Sequence, residues 1–268
     1  MAHLLTGFYS LMTVAFLIWC VVLYFREPKR KLYIRFGAAI AIFFVLVEIT
    51  MLLFSVGLSP LNVVLAIIID LLNFLKIIVF VVVGMTMTAR LGITNFPLIR
   101  YFRGKTANIE PNFLRSFALS ILIASIVVVV YSFLLFKITG PELSSILKDL
   151  EVTAENMSFS SQFTIPLLCS LIGISLLEEI VFRLAMQNTL AFFLKSKQKY
   201  LIAVLITSAV WTMGHLLSLE PVWVKALQVF PIGIILGYLY KKYGFESTFI
   251  VHLIMNLVMV YLSPELVR

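Results

Sequence analysis

The 268-residue chain is 62% hydrophobic and 13% charged, with a mean hydropathy of +1.07. A soluble domain of that length cannot bury so much apolar side chain, so the composition excludes a soluble enzyme or receptor module and marks an integral membrane protein. The net charge of +8 does not indicate a nucleic-acid partner, because the basic residues are divided among four short segments between apolar runs.

Eight runs are long enough to cross a hydrocarbon layer about 30 Å thick at about 1.5 Å per helical residue. They cover 4–25, 36–57, 62–88, 114–136, 164–192, 200–219, 222–240 and 245–262. The expected fold class is all-α, one polytopic membrane domain over 1–268 with about eight transmembrane helices. The first run is followed by Arg26-Glu27-Pro28-Lys29 rather than by a small-residue cleavage site, so it is expected to remain as the first span. Cys20 and Cys169 both lie within runs, and no disulfide framework is implied.

Basic residues set the orientation. With both termini outside, the inner segments carry Arg26, Lys29, Arg30, Lys31 and Arg35; Arg90, Arg100, Arg103, Lys105 and Arg115; Lys195, Lys197 and Lys199; and Lys241 and Lys242. The outer segments carry Lys137, Lys148 and Arg268. Fifteen against three is a strong positive-inside bias and supports an even number of spans. The acidic residues Glu142, Asp149, Glu151 and Glu155 fall in the long outer segment 137–163.

Residues 1–136 are expected to form scaffold helices. Four polar residues stand inside them: Glu48, and then Asp70, Asn73 and Lys76 at every third position, a stripe that should face the bundle rather than lipid. Asp70 and Lys76 are expected either to reach partners on other helices or to line a cavity wall. The catalytic bundle is expected in the C-terminal half, over 163–262, where the spans are joined by very short connections. There Gly233 and Gly237 form a small-xxx-small pair suited to close helix packing.

The stretch SLLEEIVFR, residues 175–183, places Glu178, Glu179 and Arg183 in the middle of a run. Each charge left unpaired at a helix centre costs roughly 2.5–3.5 kcal/mol. Glu179 and Arg183 are four apart and share a helix face, so they can pair, leaving Glu178 for other work. In the next span WTMGHLLS sets Trp211 and His215 one turn apart, and in the last VHLIMN does the same for His252 and Asn256. Either histidine alone reads equally well as interhelical packing glue. Together, one carboxylate, two imidazoles and an amide suit water activation. A carboxylate held out of bulk water can take a proton from a water molecule. Imidazole can assist or, with the carboxylate, hold a metal. A second imidazole and an amide N–H can donate to a carbonyl oxygen as it becomes negative. Counted from the outer ends of the spans, His215 lies nearer the surface than Glu178 and His252, which requires a tilted or shifted helix.

In order, Glu178-Glu179-x-x-x-Arg183, aromatic-x-x-x-His215 and His252-x-x-x-Asn256 resemble the motifs of the CAAX-protease and bacteriocin-processing (Abi) family of intramembrane endopeptidases. The resemblance covers about residues 163–262. One departure is Trp211, where the family motif usually has Phe. The resemblance implies that Glu178 is the general base, that His215 helps to bind and activate water, and that His252 and Asn256 stabilise the oxyanion. It further implies that Glu179, Arg183 and Trp211 support the site. Metal use stays open. Zinc has candidate ligands in Glu178, His215 and His252, but no His-Glu-x-x-His helix is present.

The expected activity is hydrolysis of a peptide bond in a hydrophobic, lipidated or membrane-tethered peptide or protein. The setting is a lipid bilayer, with a bacterial plasma membrane the expected location. Two other classes compete. A proton- or ion-coupled transporter would use Glu178, Asp70 and the histidines as a path, although no inverted repeat supports it. A non-catalytic immunity or regulatory protein would be expected to lack a motif residue, and none is missing.

Overall fold

A computed structural model describes residues 2–28, 30–54, 60–102, 112–143 and 164–266. Asp149, Glu151 and Glu155 of the expected acidic outer segment lie outside the described residues. The elements in chain order are α1 (Ala2–Arg26), α2 (Arg30–Phe54), α3 (Pro60–Leu91), the short α4 (Pro97–Phe102) and α5 (Phe113–Thr139). Strand β1 (Glu142–Leu143) precedes α6 (Ile165–Glu178), a π-helical segment (Glu179–Gln187) and α7 (Asn188–Phe193). Next come α8 (Lys199–His215), a single 3₁₀ turn (Leu216–Ser218), β2 (Leu219–Glu220) and α9 (Val222–Leu266).

Helices dominate because hydrocarbon offers the backbone no partner, so each crossing must satisfy its own N–H and C=O groups. The all-α expectation holds. A two-residue antiparallel ladder, Glu142 with Glu220 and Leu143 with Leu219, ties the segment after α5 to the segment between α8 and α9.

Among the described residues, seven helical spans are long and apolar enough to cross a bilayer. The last runs from Val222 to Leu262, 41 residues. At about 1.5 Å per residue that is roughly 60 Å, twice the hydrocarbon thickness. It is two spans. Gly244 has φ 77° and ψ −171°, a backbone closed to most side chains, and it breaks the helix. Leu266 packs in one cluster with Val224, Leu219 and Phe136, which an unbroken helix would hold far apart. The chain therefore doubles back at Gly244, in agreement with the expected spans 222–240 and 245–262.

A cradle holds this turn. Phe245 N–H donates to Asn95 O (2.7 Å), Ile99 N–H to Glu246 Oε1 (3.1 Å), and Tyr240 OH to Asn95 Oδ1 (2.8 Å). The two halves of α9 pack on α5 and α8, while α3 packs on α2 and on the π-helical segment. Gly233 and Gly237 meet α8: a Cβ on either would come within 2.9 Å of Ser208 or 2.8 Å of Val204. Large apolar side chains such as Leu11, Ile18, Leu72 and Ile123 point outward from α1, α3 and α5, the surface that lipid would cover. The most deeply buried groups include Trp211, Arg183, Glu179 and His252, so polar side chains occupy the centre of the bundle.

Candidate active site

Thr164 starts α6: its hydroxyl accepts from Leu167 N–H (3.3 Å) at a helix that carries proline in its first turn. The α-helix ends at Glu178, and the next nine residues widen into a π-helix. Such segments are rare and concentrate at functional sites. Asn188 supports this one, its amide donating to the carbonyls of Arg183 (2.9 Å) and Leu184 (2.8 Å). The widening is not legible in the residues, which read equally well as ordinary α-helix.

Within the segment the expected pair forms. Arg183 Nε lies 3.6 Å from Glu179 Oε2, with both side chains at most 2% exposed. The guanidinium also stacks on the Trp211 ring, 4.3 Å from its centroid. Glu179 has a second partner, His252 Nδ1, at 2.8 Å from Oε1.

Glu178 is the better exposed of the two acids, at 20%. Trp211 Nε1–H donates to its Oε2 at 2.6 Å. His215 Nε2 lies 3.5 Å from Oε1, and His252 Nε2 lies 3.7 Å from Oε2. The far sides of the rings define how each imidazole is held. His215 Nδ1 is 2.9 Å from the Trp211 carbonyl, which can only accept, so the proton sits on Nδ1. His252 Nδ1 faces the Glu179 carboxylate, which fixes a proton there too. Both rings are thus anchored through Nδ1 and turn Nε2 toward Glu178. Both also stand edge-on to Trp211, with centroids 5.1 and 5.3 Å away.

Asn256, one turn beyond His252, donates to Ser175 Oγ (3.0 Å), one turn before Glu178. Ser175 takes one amide hydrogen and leaves the other for a second acceptor. The structure therefore gathers Glu178, Glu179, Arg183, Trp211, His215 and His252 into one contact network and joins Asn256 to it through Ser175.

The mismatch in depth disappears. Phe193 and Lys199 flank the connection between α7 and α8, with Glu178 fifteen residues before the first and His215 sixteen after the second. At about 1.5 Å per residue both stand roughly 22–24 Å from that connection. The two spans differ only at their other ends, because α8 stops at His215.

A cleft of about 380 Å³ opens beside Glu178, walled by Tyr9, Thr13 and Leu17 of α1, Lys76 and Phe80 of α3, and Leu177 and Phe182 around the acidic pair. It crosses the expected boundary at 136 between scaffold and catalytic helices. Tyr9 carries no signal in the sequence; it sits over Gly214, where a Cβ would fall 2.8 Å from its ring. Lys76 is distinguishable in the sequence only as a charge inside an apolar run. Asp70 and Lys76 part company. Asp70 lies in a different cavity, between α2 and α3, close enough to Glu48 for the two carboxylates to repel. Glu48 itself is pressed against Gly173 of α6, where a Cβ would come within 2.5 Å of Oε1.

Glu178, His215 and His252 are donors of a kind that zinc accepts. Among the described residues no group of three or more His, Cys, Asp or Glu side chains is set to hold a metal.

Residues 160–258 match the family model described as Type II CAAX prenyl endopeptidase Rce1-like. Over 84 residues, 31% of this chain, the sequence is 32% identical to the sporulation-killing factor biosynthesis protein SkfC of Bacillus subtilis (strain 168). The matched stretch spans 16% of that relative's length. No solved structure matches the chain. The part of the chain that folds around Glu178, and that carries all three motifs, is thus the part that is similar to the Rce1-like, type II CAAX prenyl endopeptidase family.

Proposed function

We propose that the protein is an intramembrane endopeptidase that hydrolyses a peptide bond in a hydrophobic, lipidated or membrane-tethered peptide or protein. The observation that carries this reading is the convergence of both imidazole Nε2 atoms on the two oxygens of one partly exposed carboxylate.

In the proposed reaction Glu178 accepts a proton from a water held between its Oε1 and His215 Nε2, and the hydroxyl oxygen attacks the peptide carbonyl. The carbonyl oxygen becomes negative and needs donors. His252 supplies one through Nε2–H when it is an imidazolium, whose charge the buried Glu179 carboxylate balances at Nδ1. Asn256 supplies another through its free amide hydrogen. Collapse of the tetrahedral intermediate breaks the C–N bond, and Glu178 returns its proton to the leaving amine. Arg183 and Trp211 hold the two acids in place. Were zinc held by Glu178, His215 and His252, it would supply a Lewis acid that lowers the pKa of the same water.

The test uses purified protein in lipid nanodiscs and a panel of quenched-fluorescent peptides, including prenylated C-terminal peptides and secreted-peptide precursors. Wild type should cleave at least one. Glu178→Gln and His215→Ala should each lower kcat/KM by about 10²–10⁴-fold, the usual contribution of a general base. Proton-coupled flux without cleavage would instead establish a transporter. A cellular phenotype that survives both substitutions would establish a regulator. Chelation and metal analysis of the same samples separate the carboxylate mechanism from the zinc one. The distribution of basic residues supports a bacterial plasma membrane protein with both termini outside.

A further inference from the structure

Lys76 is half-buried in the wall of the cleft that holds Glu178. Among the described residues no carboxylate pairs with it: the ion pairs there join Arg90 to Glu27, Arg183 to Glu179, and the histidines to the acidic pair. Asp70, the acid of its helix, lines a separate cavity and acts electrostatically on Glu48. The remaining walls are largely apolar, with Leu17, Phe80 and Leu177 among them. An ionisable side chain kept inside a membrane without a partner among the described residues calls for a partner that arrives.

We infer that Lys76 is a specificity-determining residue that binds a carboxylate of the peptide substrate while Glu178, in the same cleft, addresses the scissile bond. This rests on the endopeptidase reading. Depth selects a peptide carboxylate over a lipid phosphate. Lys76 stands at the middle of α3, sixteen residues from Pro60 and fifteen from Leu91. At about 1.5 Å per residue that is roughly 22 Å from the nearer end, which puts it deep in a hydrocarbon layer about 30 Å thick rather than at its surface. Headgroup phosphates stay at the surface. A peptide drawn into the cleft brings its carboxylate with it, either the C-terminal one or that of an acidic side chain. An ammonium is suited to either because it is a compact charge with three rotatable donors and does not demand one planar geometry.

The experiment compares wild type, Lys76→Met and Lys76→Arg in nanodiscs with four apolar, N-terminally palmitoylated fluorescent peptides. One pair has a free C-terminal carboxylate or a C-terminal amide. The other pair is amidated and carries Glu or Gln within three residues of the cleaved bond. Cleavage gives kcat and KM, and anisotropy gives binding to the same proteins in the Glu178→Gln background. Wild type should favour the carboxylate member of one pair by about tenfold or more, chiefly through KM and Kd. The pair that responds identifies which carboxylate is read. Lys76→Met should level that pair, and Lys76→Arg should retain the preference.

A wild type that treats both pairs alike overturns the proposal, as does a Lys76→Met variant that keeps the preference. A preference that vanishes when anionic lipid is replaced by phosphatidylcholine reassigns Lys76 to a headgroup and also overturns it. Binding selectivity that depends on Lys76 without any cleavage would keep the subsite and remove the endopeptidase reading. Cleavage without selectivity would do the reverse.

Discussion

Trp211 donates its indole N–H to Glu178 at 2.6 Å while its ring face carries the Arg183 guanidinium at 4.3 Å. One side chain therefore touches both members of the site that the sequence separates, the free carboxylate and the ion pair. A phenylalanine, the usual residue at this place in the motif that the chain resembles, would keep the face and lose the donor. Trp211→Phe should lower kcat by roughly ten- to a hundredfold, as expected for one hydrogen bond to a charged group, while KM stays nearly constant. Steady-state kinetics on a cleaved peptide checks this. A KM effect of the same size would show that Trp211 shapes the substrate site instead.

Glu179 and Arg183 are at most 2% exposed, and neither has water to fall back on. Glu179→Gln or Arg183→Met alone leaves a buried charge uncompensated and should destabilise the fold by about 3–5 kcal/mol. The double substitution should recover part of that loss. Unfolding in mixed micelles, run as a double-mutant cycle, measures the coupling. Additive losses would mean that the two charges are stabilised by other groups. His252 should lose its orienting partner in Glu179→Gln, so activity should fall further than stability.

The approach of α3 to the π-helical segment depends on Gly84. A Cβ there would lie 2.5 Å from the Leu184 carbonyl oxygen and 2.8 Å from its carbon, both backbone atoms that cannot swing away. Gly84→Ala should therefore push α3 off the segment at a cost of roughly 1–3 kcal/mol. Because Leu184 adjoins Arg183, the displacement should also reduce peptide cleavage. A thermal shift together with kcat/KM tests both effects. Unchanged activity in a destabilised variant would show that the site tolerates movement of α3.

The orientation inferred from basic residues makes a separate prediction. Both native cysteines are buried and should resist a membrane-impermeant maleimide. A cysteine placed at Glu142 should be labelled on intact cells, and one placed at Lys242 only after permeabilisation. The opposite pattern would invert the topology while leaving the site geometry unchanged.

Composition and apolar run length were enough to establish a helical membrane protein, because lipid leaves the backbone no alternative to satisfying itself within each span. The residues that the structure gathers into the candidate site were also legible. An acid, a histidine or an asparagine inside an apolar run stands out when each unpaired charge costs roughly 2.5–3.5 kcal/mol, and the one-turn spacings announced which of them share a face. Helix periodicity is a property of one segment, so it could pair Glu179 with Arg183 but not His252 with Glu179.

The tertiary structure decided the rest. It showed that both imidazoles turn Nε2 to Glu178, with the His215 ring held by the Trp211 carbonyl one turn back on its own helix and the His252 ring held by the Glu179 carboxylate of another segment. It widened the helix after Glu178, where Asn188 supplies the donor that loosened carbonyls need. It brought Tyr9 and Lys76 to the cleft from helices that carry no motif. Contacts between distant segments depend on how helices pack, and apolar spans that all look alike to lipid do not encode their neighbours in any local pattern.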